Sequence, residues 1–173
     1  MATDRKRFVV FKTALGPAGV VGGKKGIKRV LLPGAKRPTL VRTIREEFPD
    51  AEEDGRGLAG AAKSITRYFE TGRLTGRAPR LDLEGVTGLR RDVYDALGEI
   101  PPGETVTYAE LAARIGHPGA HRSVGTALSR NPVPLLVPCH RVLRSDGGLG
   151  GFTAEGGVDL KRRMLELEGT LPV

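Results

Sequence analysis

TYAELAARIGHPGAHRSVGTALSR, residues 107–130, decides how the chain is read. Thr107 followed three residues later by Glu110 makes a capping box: the hydroxyl accepts from the Glu110 backbone N–H, and the carboxylate reaches back to that of Thr107. A helix is therefore expected to start here and run through TYAELAARI. GHPG, residues 116–119, breaks it, and AHRSVGTALSR resumes helical spacing. Two short helices joined by a tight glycine-containing turn outline a helix-turn-helix, although many small helical domains share that outline. At about 100° per residue, Ala120, Val124, Ala127 and Leu128 group on one side of the second helix and are expected to pack inward. Arg122, Gly125, Thr126 and Ser129 group on the other. Small residues with one arginine let a helix backbone approach a DNA groove while the guanidinium reaches onward. An ordinary surface helix with a solvated arginine has the same pattern.

Upstream, Leu89, Val93, Leu97 and Ile100 line one side of a further helix that PPG ends. Downstream comes PVPLLVPCHRVL, residues 132–143, in which Val133 to Val137 reads as a short buried strand ended by Pro138. The chain's one cysteine, Cys139, follows that proline and stands directly before His140 and Arg141. A buried cysteine behaves as a small hydrophobe and asks for no imidazole beside it. A reactive one works as a thiolate, which needs a base or a positive setting. In an extended segment adjacent side chains diverge, so His140 is expected to act through one water. A carboxylate is the usual partner that orients such an imidazole. On the last helix Leu160, Met164 and Leu167 make an apolar stripe, and Glu168 falls at its edge while Glu166 points away. The competing reading makes Cys139 inert filler and Glu168 an ordinary helix-end acid paired with Lys161 or Arg162.

The 173 residues suffice for one ordinary domain or two small ones, and 39% of them are apolar, enough for a core. No run near the N-terminus resembles a signal peptide and no apolar stretch approaches a membrane span, so a cytoplasmic protein without membrane contact is expected. A single cysteine forms no internal disulfide, and three histidines without a CxxC or HxxxH pattern give no metal site. The sequence has no glutamine and one asparagine, Asn131, an economy of thermolabile amides found in thermophilic proteins and also produced by codon bias. The net charge of +8 fits a polyanionic partner. It lies in residues 1–85, with 18 Lys/Arg against 10 Asp/Glu, whereas residues 86–173 balance at 10 each. Within the second half, Leu111 to Ser145 nevertheless holds Arg114, Arg122, Arg130, Arg141 and Arg144 with no carboxylate.

The first half reads as a small α/β domain. Arg7 to Thr13 and Ile27 to Leu32 are β-branched runs joined by Gly-rich turns (GPAGVVGGKKG), with Val20 and Val21 as a small third strand. Thr39 to Phe48 and Leu58 to Phe69 space their apolar residues as helices do. The connector TGRLTGRAPRLDLEG puts a boundary near Gly85. The expected fold class is thus α+β: an N-terminal α/β domain over 1–85 with a short antiparallel sheet, and a mainly helical domain over 86–173 containing the helix-turn-helix.

PCHRV, preceded by RNPVPLLV and the two helices and followed by SDGGLGGF and a helix ending LELEG, resembles the O6-alkylguanine-DNA alkyltransferases. These suicide DNA-repair proteins are also called methylguanine methyltransferases, and the resemblance covers about residues 89–169. It implies that Cys139 takes the alkyl group from the guanine oxygen irreversibly, that His140 draws its proton through water, and that Glu168 holds the histidine. By the same resemblance Asn131 braces the active-site turn and Tyr108 donates its phenolic proton toward the leaving guanine. Arg122 fills the stack where the target nucleotide has swung out, on a DNA-binding surface shared with Ala120, Gly125, Thr126, Ser129 and Arg130. The carbonyls of Cys139 and Val142 read the exocyclic amine, while Phe152 and Thr153 line the pocket. The partner is double-stranded DNA containing O6-alkylguanine, met by a monomer that needs no metal or other cofactor. FTAEGGVDLK is about two residues longer than in human-type members, and Phe152–Thr153 stands where many carry tyrosine and serine. Two other readings fit the same residues: a non-enzymatic helix-turn-helix DNA binder, either a regulator or an alkyl-damage recogniser, and a cysteine hydrolase acting on a small ester or amide.

Overall fold

The computed structural model describes residues 3–171. Its contacts separate into two units, one running to Leu83 with Ala154–Gly156 added, the other formed by Glu84–Thr153 and the chain from Gly157 onward.

The first unit is built on β1 (Arg7–Thr13), β2 (Gly16–Gly23) and β3 (Gly26–Leu31), followed by α1 (Arg37–Glu47), β4 (Glu52–Glu53) and α2 (Ala59–Thr71). The sheet order is β3-β2-β1-β4. The first three strands pair antiparallel, but the two-residue β4 pairs parallel to β1, so the sheet is not purely antiparallel. The small third strand expected at Val20 and Val21 is present but longer, since the interior strand β2 also takes in the glycine-rich residues expected to form turns around it. With strands on both edges its groups are covered on both sides, and Ala18, Val20 and Val21 are completely buried. Small residues suit that place, since a side chain on Gly19 would already press within 3.4 Å of Ile44 on α1. Phe8, Val21 and Leu31 share one face with Leu40 and Ile44 of α1. Residues of opposite parity, Val20 and Val30, point to the other face, and α2 packs along β1 and β2.

The second unit is mainly helical: α3 (Gly88–Leu97), β5 (Val106–Thr107), α4 (Tyr108–Arg114), α5 (His121–Ser129), β6 (Val142–Leu143) and α6 (Gly157–Leu167). The capping box forms as expected. Thr107 Oγ1 accepts from Glu110 N at 3.1 Å, and Glu110 Oε2 accepts from Thr107 N at 2.7 Å. Val124, Ala127 and Leu128 of α5 are buried, and the Tyr94 hydroxyl of α3 donates to the Ala127 carbonyl at 2.8 Å. Ala120 is only half-buried. Val133 to Val137 does not form the expected strand. Pro132 and Pro134 bring no N–H to a ladder, Leu135 adopts a left-handed φ of 75°, and Val137 N closes the turn on Val133 O at 2.9 Å. β6, placed after the cysteine, pairs parallel with β5, which ties the segment after Cys139 to the start of α4. Among the described residues no helix is long and apolar enough to cross a membrane.

Candidate active site

Cys139 opens a single 3₁₀ turn, Cys139–Arg141, that packs against α6. Its approach is set by Asn131, whose Nδ2 donates to Val137 O at 2.8 Å and whose Oδ1 accepts from Val133 N at 3.0 Å. One side chain thus closes the 131–137 turn at both ends. The Asn131 side chain also favours the anionic form of the cysteine. Cys139 as a whole is 6% exposed. It lines a cavity of about 240 Å³ with Tyr108, Gly125, Leu128, Ser129, Gly151, Phe152 and Thr153. Cys139 therefore borders an opening lined also by residues of α4 and α5.

Burial pushes the Cys139 thiol up. The Asn131 hydrogen bond, the charge of Lys161 and the backbone N–H groups of Cys139 and His140 pull it down. A resting thiol surrounded by groups that favour its anion is held back by desolvation alone.

Behind the cysteine, His140 is fully buried and its Nε2 lies 2.7 Å from Glu168 Oε1. A carboxylate only accepts, so Nε2 carries the proton and Nδ1 is left as the basic nitrogen. Burial holds the imidazole below its ordinary value despite the hydrogen bond and charge of Glu168, so it is neutral at pH 7. Glu168 is also gripped by Arg141, whose Nε and Nη2 lie 3.0 and 2.9 Å from its two oxygens. Arg141 Nη1 donates to the Ile100 carbonyl at 2.7 Å. The alternative of Glu168 as a surface acid paired with Lys161 or Arg162 is excluded, because its carboxylate is completely buried against His140 and Arg141.

Lys161 is nearly fully buried, and its ammonium donates to the carbonyls of Val142 at 2.7 Å, Leu149 and Gly151. Burial pushes it down to about 8, and the negative charge of Cys139 works against that fall. Tyr108 moves the other way: burial first, then the charge of Cys139, raises it, so the phenol keeps its proton.

The structure thus brings Cys139, Tyr108, Gly125, Ser129, Phe152 and Thr153 around one cavity, with His140, Glu168 and Asn131 supporting the cysteine. The Thr153 hydroxyl donates to Ser129 O at 3.1 Å, joining the 148–153 loop to the end of α5. Val142 is completely buried and does not line the cavity. Its carbonyl already accepts from Lys161, and the Cys139 carbonyl from Val142 N, leaving each oxygen a second lone pair. Arg122, Thr126, Ser129 and Arg130 are exposed, and Ala120 and Gly125 half-buried. Arg122 lies outside the cavity lining, one turn before Gly125 on α5. Lys161 and Arg141 were missed as site residues. A signal existed for the lysine: Lys161 and Glu168 are seven apart, two turns on one helix face, so the phase that turns the acid inward turns the lysine inward too.

Fold and site together define an α+β protein whose cysteine lines a small cavity against a pair of short helices, backed by a buried His–Glu–Arg cluster. A family model, 6-O-methylguanine DNA methyltransferase, DNA binding domain, matches residues 88–170. The chain is 37% identical over 164 residues to the methylated-DNA–protein-cysteine methyltransferase of Methanosarcina acetivorans, covering 94% of this chain and 98% of that one. It is 46% identical over 116 residues to the Mycolicibacterium paratuberculosis protein of the same name, covering 67% and 68%. A crystal structure of Mycobacterium tuberculosis OGT in complex with DNA matches at a TM-score of 0.76 and 35% identity over 94% of this chain and 92% of that. The chain belongs to the methylated-DNA–protein-cysteine methyltransferase family.

Proposed function

We infer that this protein repairs DNA by moving an alkyl group from O6 of guanine to Cys139, irreversibly and once per molecule. The observation that carries it is Cys139 at the wall of a cavity lined by α4 and α5, with groups that favour its anion around it and the buried His140–Glu168 pair beside it.

His140, neutral and oriented by Glu168, draws the thiol proton through a water. The thiolate attacks the alkyl carbon: an S–C bond forms, the C–O6 bond breaks, and its electron pair goes to guanine. Charge gathering on the purine calls for a donor, and the Tyr108 phenol, protonated at neutral pH, supplies one. The thioether has no hydrolytic way back. Because the alkylated oxygen lies inside a duplex, the nucleotide must be swung out at a cost of about a few kcal/mol. Arg122 fills the gap, and Ala120, Gly125, Thr126, Ser129 and Arg130 give a face that lies close to the groove. The cavity takes the extruded base, with the Cys139 carbonyl toward its amine and Phe152 and Thr153 at its edge, while Val142 stands outside that lining. The second domain, from about residue 86, carries both acceptor and DNA-binding face. A DNA substrate and a thiol nucleophile place the protein in the reducing interior of the cell, on the nucleoid when bound.

The test is a weighing. Mixed with an oligonucleotide duplex containing O6-methylguanine, the protein should gain one methyl group, mapped to the Cys139 peptide. Binding without a gain in mass would return the non-enzymatic DNA binder, and repeated turnover on esters the hydrolase. For the finger role, Arg122→Ala is expected to slow repair in duplex DNA by about tenfold or more, since extrusion is worth a few kcal/mol. Reaction with free benzylguanine should hold within about twofold, because a free base needs no extrusion. Equal slowing on both substrates would remove the role.

A further inference from the structure

Ala154–Gly156 groups with the first unit although the chain on either side belongs to the second. Just before it, Phe152 and Thr153 line the cavity; just after it begins α6, which carries Lys161. Glu155 makes the attachment. Its Oε2 accepts from the backbone N–H of Leu32, the residue after β3, at 2.8 Å, and Arg29 Nη2 lies 3.8 Å from its Oε1. The same guanidinium donates through Nε to Glu47 of α1 at 3.0 Å. Leu32 is completely buried and the Glu155 side chain only 18% exposed, so this bond is largely shielded from water. Beside it two glycine backbones interlock. A Cβ on Gly34, whose φ is +147°, would fall 2.2 Å from Gly156 N.

The stretch it holds has little stiffness of its own. SDGGLGGF carries four glycines in eight residues, and each unrestrained residue costs about 1–2 kcal/mol to fix. Lys161 holds the carbonyls of Leu149 and Gly151, and Thr153 reaches Ser129. Glu155 is the fastening at the far end.

We propose that Glu155 is a positioning residue for alkyl transfer: by clasping Ala154–Gly156 to the end of β3 it fixes the cavity wall at Gly151–Thr153 from which the substrate is presented to Cys139. The proposal rests on the alkyl-transfer reading.

The experiment is single-turnover alkylation of wild type, Glu155→Ala and Glu155→Gln by O6-methylguanine duplex, following rate, half-saturating DNA concentration and the fraction of protein that reacts. Glu155→Ala should lower the maximal rate about tenfold, as misplacement of a supporting group does, with half-saturation and reacting fraction unchanged. Glu155→Gln, whose amide oxygen still accepts from Leu32 N–H, should recover most of the rate. Glu155→Asp, too short to reach Leu32, should behave as the alanine variant does and replaces it should alanine fail to fold. A lower melting temperature or reacting fraction at an unchanged rate would make Glu155 a stabilising contact only and overturn the proposal. So would equal rates in all variants while wild type reacts. A wild type that takes up no alkyl group overturns the reading of function, and the clasp with it.

Discussion

Replacing Glu168 by alanine is expected to lower the unfolding free energy by about 3–5 kcal/mol, because it breaks a buried ion pair by removing one partner. Arg141, 6% exposed, and His140, fully buried, would each lose the carboxylate they share. The guanidinium keeps only its bond to the Ile100 carbonyl among those described above. Alkyl uptake should slow as well, by about a hundredfold, the order expected when a positioned base is lost. Without the Glu168 acceptor at Nε2 the tautomer that leaves Nδ1 basic loses its support. Glu168→Gln should recover little, since a side-chain amide offers one acceptor where the carboxylate serves a ring N–H and a two-pronged guanidinium. Denaturant titration and single-turnover alkylation by benzylguanine measure the two effects separately. A loss below about 1 kcal/mol would show the cluster to be as weak as an exposed salt bridge.

Lys161→Met is expected to cut the alkylation rate near neutral pH by about tenfold, because the cation that lowers the thiol's pKa is gone. Methionine matches the lysine stem in volume, so packing is largely kept. The pH dependence gives the sharper check. Wild-type rate should climb as Cys139 ionises and flatten above about 8, where the buried ammonium loses its proton. The methionine variant should climb without that break and regain rate as alkali ionises the thiol. Stability follows the same group. The unfolded chain keeps this proton up to the ordinary lysine value of 10.5, the folded chain only to about 8. Between those values the unfolded state binds more protons, so this residue makes wild-type stability rise with pH, an increment present above 10.5 and lost as pH falls through 8. Thermal melts of wild type against Lys161→Met across the interval should show the rise in wild type only.

What the sequence made legible followed local chemistry. The capping box at Thr107 and Glu110, the break at GHPG and the inward face of α5 are short-range features, and all but the half-buried Ala120 stand where spacing puts them. PCHRV with its flanks pointed to the family, and the apolar stripe of the last helix turned Glu168 inward. What stayed hidden depends on distant partners. β2 reads as only a small strand at Val20 and Val21 because the glycines around it signal turns, yet a strand with neighbours on both edges and a helix close by favours small residues. The parallel pairs β1–β4 and β5–β6 join residues far apart along the chain and leave no periodic trace in strands two residues long. Val133 to Val137 has a strand's composition, but two prolines and Leu135 make it a turn that Asn131 closes. Lys161 was missed because a lysine on an exposed helix is the ordinary expectation; only three carbonyls turned toward one point make its burial tolerable.

The small opening around the sulfur also bears on how long an unused molecule lasts. At 6% exposure, inside a space of about 240 Å³, the thiol is out of easy reach of glutathione and other bulky cellular disulfides, and burial keeps most of it protonated when no substrate is present. A reagent that acts once cannot be spent on stray oxidants. Its shelter slows such losses and reserves its one reaction for a guest shaped to enter.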